Sequence, residues 1–268
     1  MRDEERIELC DLNFAEANRE LSRRAGGATH DEDGLLLYAG GNDLPVLING
    51  AFRTASLLGP EEVLARANAF FAPRRRGYSV LIRLHADADL AAAAETAGLQ
   101  KFGEPPAMVL DRRLADAVPP PDVVLRRVES ADDAAAFGRV MGEAYATYGM
   151  PKECGPSAVG TLDVLAAPHV ASFVAALRDE VVAGAMVIVT HGVAGVYWVG
   201  TTPAARGRGL AELCTRAAGN AGFDLGARIA ALQASVMGEP VYRRMGYETV
   251  TRYASFVRLS PPSSSANA

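Results

Sequence analysis

A run of three prolines divides this chain of 268 residues into two parts. Pro119, Pro120 and Pro121 lie in the segment 111–122, and proline lacks the backbone N–H that a helix interior or a central strand requires. The segment is therefore predicted to be an extended, semi-rigid connector. We expect a first domain over residues 1–118, a second over 119–260, and a Pro/Ser-rich, disordered tail over 261–268.

Composition and charge limit the classes of function. The formal net charge is −5 and 49% of the residues are hydrophobic, so neither nucleic acid nor a membrane is expected as a partner. The chain starts with charged residues, and no apolar run approaches the ~20 residues that span a bilayer. Cys10, Cys154 and Cys214 are odd in number and far apart, which favours reduced thiols in the cytoplasm. The histidines lack metal-ligand spacing, so no metal is predicted.

In the second part, apolar periodicity and turn residues predict alternating strands and helices. Strands are expected at 123–128, 171–178, 181–190, 193–201, 229–235 and 249–259, and helices at 132–148, 157–165, 207–225 and 239–245. The predicted fold class is α/β, with a mixed, mostly antiparallel central sheet flanked by helices.

The first part repeats some of this order. Strands are expected at 34–39, 45–52, 78–84 and 107–110, with helices at 60–71 and 88–97. The segment Ala97-Gly98-Leu99 precedes the last strand of the first part, as Met245-Gly246-Tyr247 precedes that of the second. Two copies of one fold are the simplest interpretation.

The helix predicted to start at Gly207 carries charges that stability alone does not explain. Arg206 and Arg208 lie at its start, no acidic residue is expected in its first turn, and such cations oppose the helix dipole at a cost of about 0.3–1 kcal/mol each. A bound anion reverses that sign, because it accepts hydrogen bonds from the free N–H groups and pairs with the arginines. Gly207 and Gly209 let it approach closely. The loop from Arg206 to Ala211 is therefore a candidate phosphate or pyrophosphate site.

The corresponding helix of the first part has the opposite chemistry. It begins Gly59-Pro60-Glu61-Glu62, with proline at the first position and carboxylates that stabilise the helix and repel an anion. Only the second copy should therefore bind the ligand. A solvated basic turn is the alternative for Arg206–Gly209, whereas a dinucleotide fingerprint is excluded because Glu212 replaces its third glycine.

The segment 198–211 resembles the acetyl-CoA motif of the GNAT superfamily of N-acetyltransferases. The family's pattern, Arg/Gln-x-x-Gly-x-Gly/Ala, is met by Arg206, Gly209 and Ala211. The segments 232–235 and 240–247 resemble the next strand of the family and its Tyr-x-x-x-Gly-Phe/Tyr helix. The resemblance covers residues 123–259; the first part resembles the family only in element order, as a degenerate copy in a tandem member would.

The resemblance implies an acyl-CoA acyltransferase fold and direct transfer of the acetyl group of acetyl-CoA to a primary amine of a small molecule or peptide. It implies Tyr242 as the general acid that protonates the departing thiolate. It also implies cofactor contacts from Val199, Gly200, Thr201, Arg206, Gly207, Arg208, Gly209, Leu210, Ala211 and Ser235.

The acceptor side is less specific. The resemblance implies substrate contacts from Tyr145, Tyr148 and Met150, which follow the first helix of the second part, and Tyr197 is a further candidate.

The general base stays open. The strand before the loop offers Tyr197 and Trp198 where family members often carry a glutamate, which leaves a water relay, Glu143, Glu153 or His191. The missing carboxylate also leaves a second interpretation, a non-catalytic acyl-CoA-binding or regulatory protein with the same fold.

Overall fold

The computed structural model describes residues 1–260, and the tail predicted for 261–268 lies outside them. The helices are α1 (Asp3–Arg24), α2 (Pro60–Phe71), α3 (Ala88–Thr96), α4 (Ala131–Tyr145), α5 (Cys154–Val159), α6 (Leu162–Leu165), α7 (Leu210–Asp224) and α8 (Glu239–Met245). The strands are β1 (Ala28–Glu32), β2 (Leu35–Ala39), β3 (Asn49–Arg53), β4 (Tyr78–Arg83), β5 (Gln100–Gly103), β6 (Pro106–Leu110), β7 (Val123–Arg127), β8 (Val170–Leu177), β9 (Glu180–Thr190), β10 (Val193–Thr201), β11 (Ile229–Gln233) and β12 (Glu248–Arg258). Within residues 1–260, every helix is too short or too polar to cross a membrane.

The strands form one sheet in the order β1-β2-β3-β4-β12-β6-β11-β10-β9-β8-β7, and β5 pairs with β12. The pairs β3–β4 and β10–β11 are parallel, and each is joined through a helix that crosses the sheet, α2 or α7. The other pairings are antiparallel. The predicted mixed, mostly antiparallel α/β class is thereby confirmed, and the repeated strand–helix–strand unit supports two copies of one fold.

The two parts of the chain exchange strands. β6, the last strand before the proline connector, pairs with residues 230–233 of β11 in the second part. β12 pairs with β6 through its first residues and with β4 through residues 253–258. Each part of the sheet is therefore completed by a strand of the other part. The division near residue 118 stays a prediction, and these pairings make the two parts interdependent.

Sequence analysis missed α1, which spans 22 residues. Asn13, Asn18 and Ser22 are buried on its core-facing side, so polar side chains interrupt the apolar stripe by which an amphipathic helix is identified. Asn13 finds its partners far along the chain: its amide donates to the carbonyls of Ile188 (3.2 Å) and Val193 (3.3 Å). The short edge strand β1 and strand β5 were missed as well.

Other boundaries moved where the backbone enters the left-handed region. α7 begins at Leu210 and not at Gly207, because Gly207 and Gly209 have φ of 78° and 73°. The strand expected at 45–52 begins only at Asn49, after Leu47 with φ of 66°. The helix expected at 132–148 ends at Tyr145, continues as a 3-10 turn and stops at Gly149. The helix expected at 157–165 is two helices, α5 and α6, separated at Gly160.

The helices cover the second part on both faces. α7 buries Leu210, Leu213, Cys214 and Ala218 against one face of β8–β10. α4, α5 and α6 cover the opposite face. α1 lies on that second face between the two parts, since Ala17 packs with the α4 core whereas Ala15 packs with strands of the first part.

The close approach of α1 to β10 requires glycine at position 195. A Cβ atom on Gly195 would lie 1.9 Å from Asn13 Oδ1 and 2.6 Å from Tyr197 Cε2. Both neighbours are held, since the Tyr197 hydroxyl donates to Asn13 Oδ1 at 2.6 Å.

We therefore expect Gly195→Ala to lower the free energy of unfolding by about 3 kcal/mol, the upper end for an overpacked core. Urea denaturation of the full chain measures this loss. Gly103→Ala is the matched control, because its new methyl group meets its nearest neighbour, Pro105 Cδ, only at 4.0 Å. Equal stabilities of the two variants would contradict the packing of α1 described here.

Candidate cofactor and active site

β10 and β11 diverge halfway along β10. Their parallel pairing joins residues 193–195 to 229–231; beyond it β10 stays beside β9 while β11 stays beside β6. The pairing with β9 is irregular between Tyr197 and Gly200, where Trp198 has φ of 47°. Within residues 1–260, the edge of β10 from 196 to 201 has no β11 partner. We call this opening the strand gap; an extended ligand can pair with such an edge as an added strand.

The loop after β10 leads into the N-terminus of α7. Gly209 is the N-cap residue, and no side chain among residues 1–260 caps the helix, so the first-turn N–H groups lack a side-chain acceptor in that part of the chain. Cβ atoms built on Gly207 and Gly209 would meet no described residue (1–260) within 4 Å. Glycine is thus required by the left-handed backbone and not by crowding. The space in front of the loop is open to an anion.

The two arginines of the loop differ, which corrects the expectation that both flank an anion. The Arg206 guanidinium points to α4, where it donates to the carbonyl of Ala144 (3.3 Å) and to Thr147 Oγ1 (2.7 Å). Arg208 is exposed, and its guanidinium forms no ion pair within residues 1–260.

The first turn of α7 also differs from the expectation, because the helix begins three residues later than predicted. Glu212 lies in this turn, and its carboxylate pairs with Arg216 at 2.9 Å on the outer face. The prediction that the first turn of this helix lacks an acidic residue was therefore wrong. Arg208 is the cation of the loop that is available to a phosphate.

Tyr242 lies on α8 with 7% of its surface exposed. Its ring packs edge-on against Tyr247, with 6.0 Å between ring centroids. Burial raises the pKa of Tyr242 to about 12, opposed by the neighbouring Thr215 hydroxyl. Thr215 Oγ1 is buried and makes no hydrogen bond of standard geometry. At neutral pH the Tyr242 phenol therefore keeps its proton and can act as a donor.

Three of the predicted site residues meet around the strand gap. Tyr145 packs on Trp198, with 5.2 Å between ring centroids, and on Tyr148 at 6.2 Å. The Tyr148 hydroxyl donates to Ser235 Oγ at 3.1 Å. Tyr242 is close enough for its charged form to raise the pKa of Tyr145, after the larger effect of burial. The structure thus brings Tyr145, Tyr148 and Ser235 together near Tyr242.

Tyr197 is placed differently from the prediction. Its hydroxyl donates to Asn13 and its ring stacks on Phe14 of α1, with 6.4 Å between centroids. Burial raises the pKa of Tyr197 well above its ordinary value. Tyr197 therefore anchors α1, which corrects its prediction as a substrate contact. Met150 is half-buried just after Gly149.

Two candidates for the general base are also displaced or occupied. His191 lies in the turn between β9 and β10, at the paired end of β10 and away from the strand gap. Glu143 pairs with Arg139 at 2.9 Å.

In the first part, the ends of the parallel strands β3 and β4 carry buried ion pairs. Arg53 ends β3 and Arg83 ends β4, and both bind the fully buried Asp87, at 2.9 Å and 2.8 Å from their Nε atoms. α2 begins with Pro60 and two glutamates. Ala94 stands four residues before Gly98, where Tyr242 stands four before Gly246. Sequence reasoning missed this network, although charged residues directly after apolar strands were visible.

Solved structures share this fold. No family model and no curated protein matches the sequence. A GCN5-related N-acetyltransferase from Kribbella flavida has a TM-score of 0.69 at 24% identity, with 94% of this chain and 96% of that chain covered. Another from Sphaerobacter thermophilus has a TM-score of 0.58 at 14% identity, with coverages of 86% and 82%. A tandem GNAT protein from the clavulanic acid biosynthesis pathway has a TM-score of 0.54 at 17% identity, with coverages of 88% and 80%.

These coverages extend over both parts of the chain. The protein therefore has the fold of the GCN5-related N-acetyltransferases, and the resemblance drawn from the segments 198–211 and 232–247 is confirmed at the level of the fold.

The raised pKa of Tyr242 predicts a loss of stability at alkaline pH. An unfolded tyrosine titrates near pH 10 and the folded one at about 12, so the stabilisation is fully present below pH 10 and is lost between pH 10 and 12. At pH 11 the loss amounts to about 1.4 kcal/mol. Urea unfolding measures the free energy of unfolding at pH 9 and at pH 11. Its decrease between these two pH values should be smaller in Tyr242→Phe than in the parent protein, by this amount. Identical falls in the two proteins would mean that the phenol is not buried.

Proposed function

We propose that the protein is an N-acetyltransferase that transfers the acetyl group of acetyl-CoA directly to a primary amine. The observation that carries the proposal is the strand gap, which is followed along the chain by an uncapped glycine loop, while α8 brings the protonated phenol of Tyr242 close to Tyr145 and Tyr148. The fold shared with GCN5-related N-acetyltransferases supports the same reading.

The residues around the gap fit the parts of coenzyme A. The edge of β10 from Val199 to Thr201 that faces away from β9 suits the amide groups of the pantetheine arm. The N–H groups from Gly207 to Ala211 suit the pyrophosphate, together with the Arg208 side chain. Open space around Gly207 and Gly209 leaves room for phosphate oxygens. The Ser235 hydroxyl is a further polar contact at the end of β11.

The chain then provides two functions for acetyl transfer. The Val199 N–H polarises the thioester carbonyl as a hydrogen-bond donor. Tyr242 donates a hydrogen bond, and finally its proton, to the sulfur that leaves. A free thiol has a pKa near 8.5, so transfer from a phenol at about 12 costs about 5 kcal/mol. Desolvation in the gap raises the thiol pKa as it does the phenol pKa, which narrows that difference.

The acceptor amine must either arrive in its neutral form or lose a proton in the site before it attacks, because an alkylammonium titrates near pH 10.4. Glu143 is paired with Arg139 and His191 lies away from the strand gap, so we assign the removal of this proton to water, with Glu153, the residue before α5, as the other remaining candidate.

A non-catalytic acyl-CoA-binding protein is the second candidate. It is favoured by β10, which carries Tyr197 and Trp198 and no carboxylate before the glycine loop. Thiol release from acetyl-CoA, measured against a panel of primary amines, separates the two. Release that depends on the amine supports the enzyme, whereas binding without release supports the second candidate.

We expect Gly209→Glu to weaken acetyl-CoA binding by about 100-fold or more, because a carboxylate would stand where the phosphates bind. Gly226→Glu is the matched control: it lies at the other end of α7, has φ of 93°, and a Cβ there also meets nothing within 4 Å. Both variants carry a similar backbone strain. Calorimetric affinities that fall equally, or not at all, would contradict the placement of the cofactor.

We expect Tyr242→Phe to lower turnover by about 100-fold, the lower range for a lost general acid, with acetyl-CoA affinity changed by less than about threefold. The control is Tyr247→Phe, a buried tyrosine that contacts Tyr242 through its ring. Unchanged turnover in Tyr242→Phe would remove this residue from the reaction.

A further inference from the structure

The C-terminal end of α4 is held by the phosphate-side loop. α4 has no basic residue in its last turn, although its final carbonyls lack helical partners and favour a cation. Arg206 supplies that cation from across the sheet, through Ala144 O and Thr147 Oγ1. Its Nε also donates to the carbonyl of Thr201, at 3.4 Å, at the end of β10. One guanidinium thus joins β10 to α4.

The 3-10 turn Ala146–Tyr148 continues from this point and reaches the other strand. Tyr148 at its end donates to Ser235, which lies two residues beyond β11. Ser235 also holds the turn that leads into α8, because its hydroxyl accepts from the Gly238 N–H at 3.1 Å and its carbonyl from the Glu239 N–H at 2.9 Å. The turn is therefore tied to β11 and to the helix that carries Tyr242.

The turn joins the ends of the two strands that diverge, so it lies across the strand gap. We name Ala146–Tyr148 the strap. Its two ends are held unequally: the Arg206 end has charge-assisted hydrogen bonds, which are about twice as strong as neutral ones. The Tyr148 end has one neutral hydrogen bond on a side chain that is 41% exposed. Gly149 follows the strap with φ of 80°, and a Cβ atom built on it would meet no described residue (1–260) within 4 Å.

We propose that the strap is a gate over the strand gap, which opens at the Tyr148–Ser235 contact while Arg206 keeps the other end in place. Arg206 is then a positioning residue and not a phosphate ligand. The purpose of the gate, to admit the acyl carrier and enclose the acetyl group, rests on the proposed function. Its closure in the free protein does not.

Hydrogen exchange of the free full-length protein tests the Arg206 end. The Gly149 N–H, which donates to Ala146 O at 3.0 Å, and the neighbouring amides report opening of the strap. We expect Arg206→Gln to speed their exchange by about tenfold, since bonds to a charged group are lost. Arg208→Gln is the matched control in the same loop: exchange should stay within about twofold, while acetyl-CoA affinity falls by about fivefold. Equal exchange in both variants, or the reverse pattern, overturns the assignment of Arg206.

Tyr148→Phe tests the other end without removing a ring. Loss of one hydrogen bond should raise the opening equilibrium by about 2- to 13-fold. Acrylamide quenching of Trp198, the single tryptophan of the chain, should increase accordingly because Trp198 packs under Tyr145. Tyr145→Phe, which leaves the Tyr148–Ser235 bond intact, is the control. Quenching and exchange that do not change in Tyr148→Phe overturn the gate.

Stopped-flow fluorescence of Trp198 then connects the gate to the ligand. With acetyl-CoA as the probe, the association rate constant of Tyr148→Phe should exceed that of the parent protein several-fold. An unchanged rate overturns the gating of entry. If acetyl-CoA binds to none of the proteins, the proposed function fails, while the exchange results still decide whether the strap closes the gap.

Discussion

The divergence of β10 and β11 is the constraint on which the rest of the site depends. Parallel pairing stops at Gly195 and Ala231 because each strand then follows its other neighbour, β9 or β6. Unpaired backbone groups inside a sheet cost free energy unless something bonds to them. A ligand that carries its own amides offsets this cost, because it forms hydrogen bonds with the unpaired backbone groups. The roles that we propose for the glycine loop, Arg208 and Tyr242 all depend on a ligand bound in this opening.

The strand exchange explains how the first part, which lacks a phosphate loop, contributes to the site in the second part. β6 comes from the first part and holds β11 away from β10, and α1 covers the sheet behind the gap through Asn13. In the first part itself, Arg53, Asp87 and Arg83 occupy the equivalent opening. Buried ion pairs add little net stability. We therefore interpret this network as one that closes the ends of β3 and β4 to a ligand.

The sequence predicted what depends on local patterns and missed what depends on distant contacts. The strands of the second part and the glycine loop follow from periodicity and turn chemistry, whereas Tyr242 was singled out only by the resemblance to the GNAT superfamily. α1 was missed because Asn13 and Asn18 satisfy their polar groups on remote or preceding carbonyls, which no local pattern shows. The role of Arg206 was misjudged for the same reason: its partners lie about 60 residues earlier and its charge compensates α4, not the N-terminus of α7. The position of Tyr197 was misjudged for the same reason, because its hydroxyl donates to the distant Asn13 of α1.

The central claim is that this chain has one open strand gap and one filled one. Calorimetric titration of the full-length protein with acetyl-CoA tests it most directly through the binding stoichiometry. We predict one molecule of acetyl-CoA bound per chain, because the ion pairs of Asp87 with Arg53 and Arg83 leave no second site in the first part. Two molecules per chain, or no heat of binding at any concentration up to the millimolar range, would contradict it.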